Sequence, residues 1–421
     1  MIFGAVADDL TGATDLGLML ARAGMSVVQA IGVPREGVPL PEADACVVAL
    51  KSRTIPAAEA VEMSLASARA LRAAGARQIL FKYCSTFDST DEGNIGPVMD
   101  ALMAELGAPV TVACPAFPEN GRTIYKGHLF VGDLLLSDSS MKDHPLTPMT
   151  DANLVRVLAR QSRHTVGLVP FEVVDAGAEA IRDVLGQASR EGTGALVLDA
   201  VTDAHLVAIG EAVADMPLIT GGSGIAMGLP DAYRRLGLLG EASAADADPH
   251  VPGRTAILAG SCSAKTLAQV AAAAEAGIAH RRLDPAALVA EATPVAGLAD
   301  WAADQRADRP VMIVSSDTPE KVRALQREHG KGAVAEAVEH TMGALATALV
   351  ERGFRRLIVA GGETSGAVIG ALGIEALRIG REIDPGVPWT YSTTAEPLAL
   401  ALKSGNFGAE DFFLKADGVL S

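Results

Sequence analysis

Residues 357–373 read LIVAGGETSGAVIGALG. An aliphatic run suited to a buried strand meets Gly361-Gly362-Glu363-Thr364-Ser365-Gly366 and passes at once into a helical pattern, so one glycine-rich turn joins strand to helix. The opening of the chain repeats this order: IFGAVA (2–7) gives way at Asp8-Asp9 to an amphipathic stretch over 10–23 that stops at Gly24. Working outward, strands are predicted near 2–7, 26–32, 45–50, 78–83, 109–114, 165–170, 194–199 and 217–220. Helices are predicted over 10–23, 57–74, 94–106, 151–161, 176–190 and 203–214. Short aliphatic runs alternating with amphipathic helices are the pattern of α/β domains with largely parallel sheets.

The alternation pauses at GLLGEASAADADPHVPG (237–253), a small-residue, acidic, Pro-containing stretch without hydrophobic period that suits a linker. It resumes with strands at 255–260, 278–283, 310–315, 355–360 and 398–403, and helices at 264–277, 333–352, 365–372 and from 409. The expected organisation is two α/β domains facing each other across an active-site cleft: residues 1–237, a linker 238–253, and residues 254–421. Segment 115–150 departs from the pattern, being rich in Pro, Gly, Ser and charge. Within it TIYKGHLFVGD (123–133) fits a short hairpin, and Arg122, Lys126, His128 and His144 favour a binding loop over a tail.

Composition narrows the function. The 421 residues carry 35 Lys+Arg against 51 Asp+Glu, a formal charge of −16, and no Lys/Arg-rich stripe that would neutralise a nucleic-acid backbone. The 49% hydrophobic content supplies a large core, which at 4% aromatic residues must be aliphatic and Ala-rich. Cys46, Cys84, Cys114 and Cys262 lack a CxxC or metal-ligand spacing and fit a reducing compartment. No apolar stretch reaches the roughly 18–20 residues of a membrane span, and the N-terminal run has no basic n-region, so a cytoplasmic protein is expected.

In open parallel sheets ligands bind beyond the carboxyl ends of the strands. At the end of the first strand, Asp8 and Asp9 can divide two tasks, one accepting a proton from a substrate hydroxyl while the other orients substrate or metal. The competing reading makes Asp9 or Thr11 a helix cap. FKYCSTFDSTDEGN (81–94) gathers Lys82, hydroxyls and Asp88 at another strand end, where Lys82 suits an anionic ligand; an Asx/ST turn with a solvated lysine is the alternative. Arg53, in Lys51-Ser52-Arg53-Thr54, is of the residue type that binds carboxylates bidentately.

In the second half, Gly260-Ser261-Cys262-Ser263-Ala264-Lys265-Thr266 superficially resembles a P-loop. Its second glycine is missing and the loop is one residue short, which excludes a Walker A site, but a Gly/Ser turn entering a helix still suits phosphate oxygens. Gly361 and Gly362 allow backbone N–H groups to approach phosphate at a helix N-terminus, or merely let strand and helix pack closely. In KSGNFG (403–408), Gly405 is placed to back an adenine or a phosphate. TGGSGIAMG (220–228) imitates a dinucleotide fingerprint, but Met227 stands where the third glycine belongs and the string lies late in its domain. The eight His show no HExxH spacing, so a dedicated zinc site has no support and metal ligands stay unassigned.

Taken in order, GAVADDLTGATDLGLMLARAGM (4–25), FKYCSTFDSTDEGNIG (81–96), AGSCSAKT (259–266), VAGGETSGAV (359–368) and LALKSGNFGAEDFF (400–413) resemble the four-carbon acid sugar kinase family along essentially the whole chain. Residues 114–158 look like its 3-oxo-tetronate kinase branch. The resemblance implies ATP-dependent phosphorylation of the terminal 4-hydroxyl of a four-carbon sugar acid, with a substrate domain followed by a nucleotide domain. It places Ser261, Gly361, Gly362, Glu363, Thr364 and Gly405 at the ATP site, with Ser263 beside them. Asp9 as base or hydroxyl-orienting group, Asp8 as its partner, and Arg53, Lys82 and Asp88 as substrate-binding groups rest on chemistry instead. Mg²⁺ is expected because nucleotide phosphates carry it. The expected partners are the sugar acid and ATP, with no nucleic acid and no membrane; a homo-oligomer is compatible with the sequence, which leaves the state open. The alternatives are a D-threonate or D-erythronate 4-kinase, a non-catalytic sugar-acid sensor, a nucleotide-dependent ligase and a NAD-linked dehydrogenase.

Overall fold

The computed structural model describes residues 1–144, 146–241, 248–289, 294–315, 327 and 331–420. The chain divides into two compact units, Met1–Asp246 and Ala247–Ser421. The expected linker 238–253 includes 242–247, which lie outside the described residues.

The first unit is built on β1 (Phe3–Ala7), α1 (Leu10–Arg22), β2 (Val27–Ile31), β3 (Ala45–Ala49), α2 (Ala57–Ala73), β4 (Gln78–Lys82), α3 (Ile95–Leu106) and β5 (Thr111–Cys114). After the 115–150 segment come α4 (Leu154–Gln161), β9 (Thr165–Val169), α5 (Phe171–Asp175), α6 (Ala178–Glu191), β10 (Thr193–Leu198), α7 (Asp203–Val213), β11 (Leu218–Gly221) and α8 (Leu229–Arg235). Its strands run in parallel in the order β9-β10-β5-β11-β4-β1-β3-β2. Every residue of β1, β3 and β4 is buried, as expected of strands covered by helices on both faces. The register sets Ala7 level with Ala49 and Lys82, and Gly221 level with Lys82 and Cys114, so the residues that follow share one sheet edge.

Segment 115–150 forms a three-stranded antiparallel sheet from β6 (Arg122–Tyr125), β7 (His128–Val131) and β8 (Leu134–Leu135). Lys126 and Gly127 both have positive φ, 49° and 72°, the backbone of a two-residue hairpin turn. The buried Asp199 carboxylate fastens this turn, accepting the N–H of Lys126 at 2.7 Å, Gly127 at 2.8 Å and Phe171 at 2.9 Å.

The second unit contains β12 (Arg254–Ala259), α9 (Ala264–Glu275), β13 (Ala279–Arg282), α10 (Pro285–Val289), α11 (Val295–Ala303), β14 (Val311–Val314), α12 (Lys331–Glu351), β15 (Phe354–Ala360), α13 (Gly362–Ala371), β16 (Ala376–Asp384), β17 (Val387–Ser392), β18 (Ala399–Lys403) and α14 (Phe412–Val419). Parallel strands β13-β14-β12-β15-β18 continue into β17 and β16, which pair antiparallel. That hairpin does not appear among the sequence expectations: Arg378, Gly380, Arg381 and Glu382 interrupt the apolar run of β16, and Pro388 lies in β17. Ala259 pairs with Ala360, and Ala360 with Lys403, so the turns after β12, β15 and β18 emerge side by side.

Candidate functional site

At the first unit's edge, Asp9 has extended backbone (φ −147°, ψ 158°) and caps α1, its Oδ1 accepting the N–H of Gly12 at 3.1 Å. Among the described residues its Oδ2 accepts no hydrogen bond. Asp8 lies inside the edge, 6% exposed, and receives a two-pronged bond from Arg53, Nε to Oδ2 at 2.8 Å and Nη2 to Oδ1 at 2.9 Å. Arg53 Nη2 also lies 2.8 Å from Asp9 Oδ1, and Nη1 lies 3.7 Å from Asp88 Oδ2. Burial pushes the Asp8 carboxyl above its ordinary range, opposed by Arg53 and reinforced by Asp9. For Arg53, burial works against the charge, but the carboxylates of Asp8 and Asp9 outweigh it and hold the guanidinium protonated.

Three further features fix this cluster. Asn94 Nδ2 reaches the carbonyls of Ser52, Arg53 and Ile55 at 2.7, 3.2 and 3.0 Å, which sets the loop that carries Arg53. The 83–90 turn is held by Thr86 Oγ1 donating to Asp88 Oδ1 at 2.6 Å, and Phe87, fully buried, takes φ 51°. A buried aromatic residue in that region is strained, and such strain gathers at functional sites. Lys82 is 3% exposed and donates to the carbonyl of Tyr83 at 3.0 Å, while a Cβ on Gly12 would come within 2.7 Å of its Nζ. So Asp8, Asp9, Arg53 and Asp88 meet directly, and Lys82 stands beside the first turn of α1.

The sequence reading missed Asn94 and the pair of Ser223 and Asp15, whose hydroxyl and carboxylate bond to each other. The glycine string around Ser223 is no dinucleotide turn. A Cβ on Gly221, Gly222 or Gly224 would strike the carbonyls of Cys114, Pro115 or Ala116 at 2.3, 2.8 and 2.5 Å, so these glycines admit a close backbone crossing.

In the second unit the turns after β12, β15 and β18 converge. Gly260 and Ser261 donate their N–H groups to the carbonyl of Ala360 at 2.9 and 3.0 Å, and Gly361 donates to that of Lys403 at 2.9 Å. Ser263 caps α9, accepting the N–H of Thr266 at 3.1 Å, and its hydroxyl donates to the Gly405 carbonyl at 2.6 Å. Gly361 has φ 133°, and a Cβ there would lie 2.9 Å from Thr364 Oγ1 and 3.2 Å from Ser261 N. A Cβ on Gly405 would come 2.2 Å from Ser261 Oγ, whereas one on Gly362 would meet nothing within 4 Å. The result is a backbone cradle at the N-terminus of α13, lined by Ser261, Ser263 and Thr364, with Glu363 exposed on the first turn. Such a cradle fits phosphate oxygens. Among the described residues no group of three or more His, Cys, Asp or Glu could hold a metal ion. No helix among them is long and apolar enough to cross a membrane.

A parallel-sheet unit with a carboxylate and guanidinium cluster, and another with a phosphate-type cradle, describe an enzyme that handles a polar small molecule and a nucleotide. Residues 3–229 match the model of a sugar-binding N-terminal domain and residues 256–413 that of a nucleotide-binding C-terminal domain. With both matched and with the relatives that follow, the chain belongs to the four-carbon acid sugar kinase family. A 3-oxo-tetronate kinase of Cupriavidus necator is 55% identical over 99% of this chain and 96% of its own length. One of Salmonella typhimurium is 44% identical over 98% of each chain. Among solved structures, a Salmonella typhimurium protein described as a putative tRNA synthase superposes with a TM-score of 0.90 at 43% identity, covering 98% of each chain. A Haemophilus influenzae protein superposes with a TM-score of 0.89 at 42% identity, covering 99% of this chain and all of that one.

Proposed function

We propose that this chain transfers the terminal phosphoryl group of ATP to the 4-hydroxyl of 3-oxo-tetronate, giving 3-oxo-tetronate 4-phosphate. The observation that carries the reading is its likeness, at 52–55% identity over nearly its whole length, to four relatives named 3-oxo-tetronate kinase. The geometry supports the reading. Asp9, with Oδ2 free to accept, takes the role of base or orienting group for the hydroxyl, and Asp8 and Arg53 fix its position. Arg53 Nη1 and Lys82 are the cations that meet the substrate carboxylate, and Asp88 orders the turn beside them. Ser261, Ser263, Gly361, Gly362, Glu363, Thr364 and Gly405 form the ATP cradle. Mg²⁺ neutralises charge on the nucleotide phosphates when bound, and needs only one or two protein carboxylates, of which Glu363 stands at the cradle. Phosphoryl transfer asks mainly for positioning and charge compensation, which is what fixed carboxylates, cations and a backbone cradle provide. A cytoplasmic location accords with this reading.

The test is ADP release with Mg-ATP against 3-oxo-tetronates, threonates and erythronates, each with a no-substrate blank. Turnover confined to a 3-oxo acid is the expected result. Turnover with threonate or erythronate instead would move the chain to another branch, and sugar-acid binding without any ADP release would point to a sensor.

A further inference from the structure

We propose that Lys403 is the buried counter-charge of the nucleotide cradle, holding the Ser404–Gly405 turn against α9 and compensating the phosphates bound beside it. This rests on the nucleotide reading of the cradle. Lys403 ends β18 and is 1% exposed. Its ammonium donates to Thr266 Oγ1 at 3.1 Å and to the carbonyls of Ser404 and Gly405 at 3.1 and 3.3 Å. All of these acceptors are neutral, and no carboxylate lies within ion-pair distance of Lys403 among the described residues.

Lysines are almost never fully buried without a partner, because an unpaired ammonium in a low-dielectric interior is costly. The arrangement becomes favourable once negative charge arrives nearby. The Gly405 carbonyl also accepts from Ser263 Oγ at 2.6 Å and Thr266 Oγ1 at 2.9 Å, so it gathers the donors of two turns around one atom. The Lys403 carbonyl accepts the N–H of Gly361. Lys403 therefore touches the β18 turn and the first turn of α9, and through its own carbonyl the turn into α13. Around it, α9 presents Thr266 and the charged Lys265, α14 presents the Phe412 ring with its centroid 6.0 Å away, and β15 presents Ala360 in register. Of these only Lys265 is charged, and it has the same sign. Burial first and Lys265 second push the ammonium down to about 8.

Phosphates in the cradle would raise that value, so nucleotide binding near pH 8 takes up a proton and weakens as pH rises through this range. The experiment is calorimetric titration of the full chain with MgATP and MgADP at pH 7, 8 and 9.5, each in two buffers of different ionisation enthalpy. The wild type is expected to take up about half a proton per nucleotide at pH 8. Lys403→Gln and Lys403→Met should show no uptake and bind roughly 10- to 100-fold more weakly at pH 7, the gap closing toward pH 9.5. Loss of affinity by the same factor at every pH would reduce Lys403 to packing and overturn the proposal. Wild-type binding without proton uptake would overturn it while leaving the nucleotide reading intact, and that measurement needs no variant to fold. Absence of wild-type binding to either nucleotide would overturn both.

Discussion

Asp9 caps α1 and, on the proposed reading, also orients or deprotonates the substrate hydroxyl; one pair of substitutions separates the two. As the cap of α1 it accepts the Gly12 N–H at 3.1 Å, and as a carboxylate it faces Arg53 at 2.8 Å with Oδ2 unbonded among the described residues. Asn caps a helix about as well as Asp, so Asp9→Asn should lose only the charge opposite Arg53, about 0.5–1 kcal/mol for a part-exposed pair, whereas Asp9→Ala should lose about 1 kcal/mol more through the cap. The Asn variant can no longer accept a proton. If Asp9 is the base, both variants should lose roughly 10²- to 10⁴-fold in kcat, equivalent to about 2.7–5.5 kcal/mol of barrier, with the KM for ATP little changed. The assay is steady-state ADP release with 3-oxo-tetronate, paired with denaturant unfolding of each variant. A kcat for Asp9→Asn within threefold of wild type, alongside a destabilised Asp9→Ala, would refute the catalytic assignment and leave Asp9 as a cap.

Arg53→Gln leaves the buried Asp8 carboxylate without its two-pronged partner and should lower stability by about 3 kcal/mol, less any relief from the quarter of the Arg53 side chain that is exposed. Adding Asp8→Asn should recover part of that loss in a denaturant double-mutant cycle, and strict additivity would deny the pair. Gly405→Ala brings a methyl group to 2.2 Å from Ser261 Oγ, so nucleotide affinity should fall roughly tenfold with the sugar-acid KM unmoved, and adding Ser261→Gly should cost less than the sum of the two single changes because it removes the clash; calorimetry reads both. For Lys403 the folded state disfavours the charged form, so the penalty is fully present below about pH 8 and is relieved as pH rises toward 10.5. Nucleotide-free wild type should therefore gain up to about 3 kcal/mol relative to Lys403→Met between pH 7.5 and 10.5, measured by denaturant unfolding, and a pH-independent difference would contradict this.

The elements that sequence reads well here are those whose signal is local. IFGAVA and LIVA are apolar runs ended by turn residues, and β1 and β15 form where the period changes from strand to helix. The hairpin of β16 and β17 has a stability that is not local: Gly380 sits where a Cβ would lie 2.4 Å from the Tyr391 ring, and the charged residues around it break the apolar pattern of a strand whose Leu377, Ile379 and Ile383 are nonetheless buried. Helix α13 begins at Gly362, three residues before the expected start, because glycine reads as a stop until the backbone of Gly361 shows the turn already closed.

The site follows the same division. The residue types at strand ends were legible, and the parallel register brings Asp8, Lys82 and Arg53 to one edge and Ser261, Gly361 and Gly405 to another. What the one-dimensional text does not carry is who neutralises whom. Arg53 reads in sequence as a free cation for a substrate carboxylate, yet in the fold its Nε and Nη2 are already bonded to Asp8, Nη2 also meets Asp9, and Nη1 lies 3.7 Å from the buried Asp88 carboxylate. Lys403 reads as an ordinary lysine before a glycine turn, and only its burial among neutral acceptors turns it into a charge that needs an answer. Both depend on desolvation, which is set by what packs over a side chain from distant parts of the chain. It follows that the two cations should respond unequally to ligand: Arg53, already paired, gains little charge stabilisation when the sugar acid arrives, while Lys403, without a carboxylate partner among the described residues, gains most when the nucleotide does. Pre-binding of nucleotide should then protect the β18 turn from amide exchange far more than pre-binding of sugar acid protects the Arg53 loop, and equal protection at both would remove the distinction.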